Sequence, residues 1–259
     1  MELQLLTGCL GLFVGFFSGL LGIGGGILMA PLLLYVPSWI NLPPLPMRDI
    51  AGLTVVQGLA SCLSGALTHK KFHFVSNRLT VWMGGTIFPA ALIGGATAGY
   101  MANNLLLIIF ALMALPAALL IFIPPKKDCE SPDITKLTFS RTRAVAVAGT
   151  VGLTGGLVGQ GGSFLLIPLM TSFLQVPTRI AIGSNLAIVL LSSFAAFVGK
   201  ALTGQIVWPL ALPIILTVIP AAHLGGLVSH RVPIASLRLV LACCIALAAL
   251  RIGFSAAGF

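Results

Sequence analysis

The side chains with chemistry to offer in this sequence are almost all uncharged. Thr54 and Gln57 follow Gly52, Ser184 and Asn185 follow Gly183, and Gln160 and Ser163 sit among Gly159, Gly161 and Gly162. A second glycine cluster, Gly22, Gly24, Gly25 and Gly26, interrupts the apolar stretch GLLGIGGGILMAP. Hydroxyls and amides beside glycine backbone can hydrogen-bond a small oxyanion and still release it. A metal or sodium site wants carboxylate oxygens or a His/Cys cluster. No Asp or Glu falls within an apolar run here, and Asp49 stands only at the edge of one.

Glycine costs roughly 1 kcal/mol relative to alanine inside a helix, so these clusters predict breaks in the chain. A broken helix presents unpaired N–H groups and a positive dipole end, and glycine admits a ligand close to that backbone. The candidate substrate site is therefore Gly24, Gly25 and Gly26 with Gly161, Gly162 and Ser163, joined by Thr54, Gln57, Gln160, Ser184 and Asn185. Large amides are costly in hydrocarbon, which sets Gln57, Gln160 and Asn185 first among the side chains. Ser61, Ser64, Ser192 and Ser193 read as interhelical hydrogen bonds, worth about 0.6 kcal/mol in membranes. Arg48 and Arg179 begin corresponding apolar runs, where they either steer anions or snorkel to headgroups. His223, inside VIPAAHLGG, is a candidate for proton coupling, with a bond to a backbone carbonyl as the alternative.

The elements that must hold these residues are membrane spans. The chain has 259 residues, 58% of them hydrophobic and 7% charged. Runs of about 20 apolar residues are long enough to cross hydrocarbon. They occur at Asp49 to Thr68, Leu79 to Gly99, Leu105 to Pro124, Ile206 to Val228 and Leu237 to Ala256. The net charge of +9 sits in short loops between these runs, which is the positive-inside pattern and not a nucleic-acid surface. The first run lacks a basic leader and a small-residue cleavage site, and reads as part of the mature fold. Cys9, Cys62, Cys129, Cys243 and Cys244 form no CxxC pair, so neither a disulfide framework nor a metal cluster is expected.

The two glycine clusters are copies of each other. Residues 15–32 and 152–169, at an offset of 137, match at nine of 18 positions, including Gly22/Gly159, Gly24/Gly161, Gly25/Gly162 and Pro31/Pro168. After a six-residue contraction the offset becomes 131, aligning Arg48/Arg179, Gly52/Gly183, Ser61/Ser192, Pro89/Pro220 and Gly94/Gly225. The chain divides into a first repeat at 1–125, a cytoplasmic linker at 126–139 and a second repeat at 140–259. The fold class is all-α. It is a polytopic bundle of two repeats, each a broken element, with pieces of about 17 and 10 residues in the first, followed by three full spans.

If each broken element is a hairpin, 11 basic residues collect on one face. Three (Arg48, Lys200 and Arg251) remain on the other. If each crosses once, the division is 10 to 4. The hairpin reading makes each half cross an odd number of times, so the repeats are inverted and both termini are periplasmic.

The paired GxGGGxxxxP and GxGGSxxxxP segments, each followed by a glycine step (GLT, GSN) at the next span, resemble the sulfite exporter TauE/SafE family over nearly the whole chain. That resemblance implies an inner-membrane permease moving sulfite or an organosulfonate such as sulfoacetate outward. Its partners would be a small anion and the lipid bilayer, with no cofactor and no nucleic acid; a homo-oligomer is compatible with it. A metal or other cation permease and a membrane subunit of a larger complex are the alternatives. No HExxH, GxSxG or paired-carboxylate arrangement points to an enzyme, and no ATP-binding loop is present.

Overall fold

The computed structural model describes residues 2–71, 74–120, 137–159 and 162–233, with 235–237, 239–240 and 242–243 beyond them. The described residues fold into helices: α1 (Glu2–Leu21), α2 (Gly26–Trp39), α3 (Met47–Lys71), α4 (Asn77–Thr97, ending in a 3₁₀ turn at Ala98–Tyr100), α5 (Asn103–Leu120), α6 (Arg141–Val158), α7 (Ser163–Pro168), α8 (Thr178–Leu202) and α9 (Trp208–Ser229). Among them, α1, α3, α4, α8 and α9 are long and apolar enough to cross a membrane. The molecule is a multi-pass helical membrane bundle.

The broken elements are longer than their sequence suggests in the first half, 20 residues for α1 and 14 for α2. Helix α1 ends at Leu21, where the glycine break begins, and α2 starts at Gly26 and runs on to Trp39 before the loop at 40–46. In the second half α7 passes at Pro168 into a π-helical turn, Leu169–Phe173. Proline cannot donate to the preceding turn, and the widened turn absorbs the lost bond. The expected span at Leu105 to Pro124 corresponds to α5, whose predicted end lies outside the described residues. So does nearly all of Leu237 to Ala256.

Packing couples each half to the other. Helix α1 lies along α9 and α6 along α4, while α3 packs on α8 and α9, and α8 on α3 and α4. Exchanging the halves maps this set of contacts onto itself. The correspondence holds at single atoms. A Cβ at Gly19 would stand 2.0 Å from the Ala222 carbonyl, and one at Gly156 would stand 2.4 Å from that of Ala91. A Cβ at Gly94 would meet the Leu153 carbonyl at 2.2 Å, and one at Gly225 that of Phe16 at 2.0 Å. Each pair obeys the offsets of 137 and 131 on both sides of the contact. Helix backbones meet directly at these points, the close approach that small residues permit in membranes. Gly94 and Gly225 are thus packing residues.

Candidate functional site

The first break is built by backbone that only glycine adopts without strain. Gly22, Gly24 and Gly25 have φ of 69°, 65° and 75°, and Gly159 and Gly162 have 85° and 70° at the second. An L side chain is disfavoured in this left-handed region by roughly 1–2 kcal/mol. The N–H groups of Leu28 and Met29 both bond to the Gly25 carbonyl, so those of Gly26 and Ile27 precede the first intrahelical bond of α2. Leu165 and Leu166 do the same with the Gly162 carbonyl at the start of α7.

The break carbonyls are clasped by side chains from α3, α7 and α8. Asn185 Nδ2 donates to the Gly22 carbonyl, Ser163 Oγ to that of Ile23, and Ser61 Oγ to that of Gly24 at 3.1 Å. The second break therefore touches the first through Ser163. Gln57 lies against Gly25, its Nε2 only 2.3 Å from where a Cβ would stand. Ser193 Oγ and the Gly24 carbonyl approach Gly58 from α8 and from the break, at 3.2 and 3.7 Å from its Cβ position. Cys62 Sγ comes equally close to Gly24, at 3.2 Å from its Cβ position.

This junction is sealed and holds unused hydrogen-bonding capacity. Thr54, Gln57, Ser61, Ser163, Asn185 and Ser193 are all fully buried. Gln57 Nε2 and Oε1, Asn185 Oδ1 and Ser193 Oγ have no hydrogen-bond partner among the described residues. Leaving a buried polar group unpaired costs about 1–3 kcal/mol. No carboxylate joins them. Among the described residues, no group of three His, Cys, Asp or Glu side chains is placed to hold a metal ion.

The sequence candidates separate on this geometry. Gly24, Gly25, Gly26, Gln57, Gly162, Ser163 and Asn185 come together. Thr54 lies on the same face of α3, three residues before Gln57, with its hydroxyl on the Ala51 carbonyl at 3.1 Å. Ser184 points elsewhere: its Oγ accepts from the Ser76 N–H at 2.9 Å and ties down the loop before α4. Gln160 and Gly161 lie outside the described residues. His223 is exposed on α9 with Nδ1 3.0 Å from Thr68 Oγ1, in an outer groove beside Leu63, Leu67 and Ile219. The structure does not bring it to the breaks.

The two arginines also part company. Arg48 is exposed at the start of α3. Arg179 is 7% exposed, and its guanidinium donates to the Ser229 and Val232 carbonyls at 3.3 and 3.1 Å while covering the Phe74 ring. It braces the end of α9, where a cation also suits the helix dipole.

Sequence reasoning misses Ser61 and Ser193, which read as packing, and Lys200, which reads as a surface charge. Ser64 fits the packing reading, donating to the Ile219 carbonyl at 2.9 Å. Ser61 braces the break, and Ser193 faces it. The available signal for Ser61 is its match to Ser192. For Ser193 it is the seven-residue step from Leu186 along the buried face of α8.

Comparison with known proteins agrees with this architecture. Residues 7–252 match the family described as Sulfite exporter TauE/SafE. A probable membrane transporter protein of Xylella fastidiosa is 30% identical over 226 residues, covering 84% of this chain and 82% of its own. The probable membrane transporter protein YunE of Bacillus subtilis is 24% identical over 237 residues, with 84% of each chain covered. A probable membrane transporter protein of Haemophilus influenzae is 24% identical over 247 residues, covering 90% of this chain and 92% of its own. No solved structure matches. The chain belongs to the TauE/SafE family, a family of membrane transporters and not of enzymes.

Proposed function

We propose that the protein is a secondary carrier that exports a small sulfur oxyanion or organosulfonate across the inner membrane, binding it where the two helix breaks meet. The observation that carries this reading is the set of buried polar atoms on Gln57, Asn185 and Ser193 beside glycine backbone that have neither a hydrogen-bond partner nor a carboxylate neighbour among the described residues. Amide and hydroxyl donors with backbone N–H groups satisfy an anion. The free Asn185 Oδ1 suits a protonated oxygen of the ligand or its bound water.

The two halves, 1–125 and 140–259, act in this reading as inverted repeats around that site, with 126–139 in the cytoplasm and both termini in the periplasm. The contacts of α1 with α9 and of α6 with α4, which interchange when the halves are exchanged, support two equivalent repeats around one site. The family and relatives support transport, and the sulfur anion follows the family description alone.

The test is flux in proteoliposomes containing the purified protein, offered sulfite, sulfoacetate, sulfate and nickel. Saturable movement of sulfite or sulfoacetate, lost in Gln57→Ala, is expected. Movement of nickel with no movement of any anion would overturn the reading.

A further inference from the structure

A second polar centre lies at the far end of α8. Lys200 is fully buried, with Nζ donating to the Leu157 carbonyl at 3.3 Å and to Gln205 Oε1 at 3.2 Å. An ammonium carries three protons, and the third has no acceptor among the described residues. Gln205 is held in turn by its Nε2, which donates to the Gly95 carbonyl at 3.3 Å and to Thr203 Oγ1. The same Nε2 lies 2.9 Å from the Cβ position of Gly99, and Arg48 Nη2 lies 3.7 Å from that point. The start of α3 and the ends of α4 and α8 thus bring two cations and an amide to one place.

Among the described residues no carboxylate forms an ion pair with Lys200 or Arg48. The carbonyl end of α6 at Leu157 offers about half an elementary charge of opposite sign, which offsets one ammonium only in part. A buried cation without a counter-charge is costly unless something supplies one. The opposite end of the bundle, by the offset of 131, has Phe74 where this end has Gln205, and Arg179 there is bonded to carbonyls. Of the two matched arginines, Arg48 is the exposed one.

Its position relates this centre to the central junction. Lys200 follows Ser193 by seven residues, so it lies on the same face of α8 about 10 Å further along the axis. We propose that Lys200, with Gln205 and with Arg48 at the rim, forms an outer anion site for a small oxyanion on the path that leads from the breaks. This inference rests on the anion-carrier reading above. In the hairpin topology this end faces the periplasm, which makes it the exit site of an exporter.

The decisive variant is Gln205→Glu, which keeps the acceptor oxygen beside Lys200 and adds a built-in negative charge. An anion that binds there must now compete with it. Half-saturation for sulfite in proteoliposomes is expected to rise at least about tenfold, as it should in Lys200→Gln, with Lys200→Arg near wild type. Gln205→Glu gains a charge pair with Lys200 but loses the Nε2 donation to the Gly95 carbonyl, so thermal unfolding in detergent is measured alongside: a cooperative transition near the wild-type temperature separates lost binding from lost fold. If Gln205→Glu and Lys200→Gln both keep wild-type half-saturation while Gln57→Ala loses it, Lys200 is only a cap on α6, and the outer site is overturned while the carrier reading stands. If the wild-type protein moves no anion at all, both fall together.

Discussion

At the residue scale, Gln57 is the side chain most at odds with its surroundings. Both polar atoms of its amide are buried against Gly25 without a hydrogen-bond partner among the described residues. Such a group destabilises the fold by about 1–3 kcal/mol until a ligand satisfies it. Gln57→Ala should therefore separate two quantities that usually fall together. Affinity for sulfite should drop roughly 10- to 150-fold, the loss of one hydrogen bond to a charged ligand of about 1.5–3 kcal/mol. Thermal stability of the empty protein should stay level or rise, as it does when a functional group carried at a cost is removed. A fall in melting temperature with unchanged flux would make Gln57 a packing residue. The same logic sets Arg48 apart, since an exposed cation acts by attraction over distance. Arg48→Gln should slow uptake at low ionic strength, and the effect should fade as screening shortens to about 8 Å at physiological salt.

At the scale of elements, the breaks are legible in the sequence and their surroundings are not. A glycine cluster in an apolar run recurs at offset 137, with a proline six residues after Gly25 and after Gly162. Continuous helix through either cluster would lose about 1 kcal/mol at each glycine with nothing gained. The φ values of Gly25 and Gly162, 75° and 70°, are what those positions require. Residues on α3 can also be placed, because Thr54, Gln57 and Ser61 recur at helical spacing. Lys200 cannot. A lysine near the end of an apolar run reads as a headgroup anchor, and only the tertiary fold, with Leu157 from α6 and Gln205 from the next loop, takes it inside. Ser184 fails as a site residue for the converse reason: it neighbours Asn185 in sequence but points about 100° away around the helix. The conformational role of the breaks has its own test. Gly25→Ala would set a Cβ 2.3 Å from Gln57 Nε2 in left-handed backbone and should abolish transport. Gly204→Ala has similar φ, 66°, but nothing within 4 Å of its Cβ position, and should cost only about 1–2 kcal/mol of stability with flux retained. Equal loss of flux in both would mean that backbone strain alone, and not the ligand's approach, governs the break.

At the scale of the whole molecule, the question is how the two equivalent halves sit across the bilayer. The loops that follow the broken elements each contain a non-glycine residue in left-handed backbone, Asn41 with φ of 57° and Gln175 with φ of 58°. Both are exposed, so they are equivalent reporters on the two halves. If the broken elements are hairpins, the halves are inverted: Asn41 faces the periplasm and Gln175 the cytoplasm. If each broken element crosses once, both loops face the periplasm and Glu2 lies inside. Single cysteines at positions 2, 41 and 175, on a background with the five native cysteines replaced, distinguish these arrangements with a membrane-impermeant maleimide on intact cells. The inverted arrangement predicts labelling of Glu2→Cys and Asn41→Cys from outside, with Gln175→Cys reacting only after the membrane is opened. The end of the bundle where Arg48 and Lys200 meet would then be periplasmic and the end with Arg179 cytoplasmic, which gives an exporter its exposed cation at the exit and a braced arginine at the entrance. Labelling of Gln175→Cys from outside, with Glu2→Cys protected, would remove the inverted repeat and with it the assignment of Lys200 to an exit site.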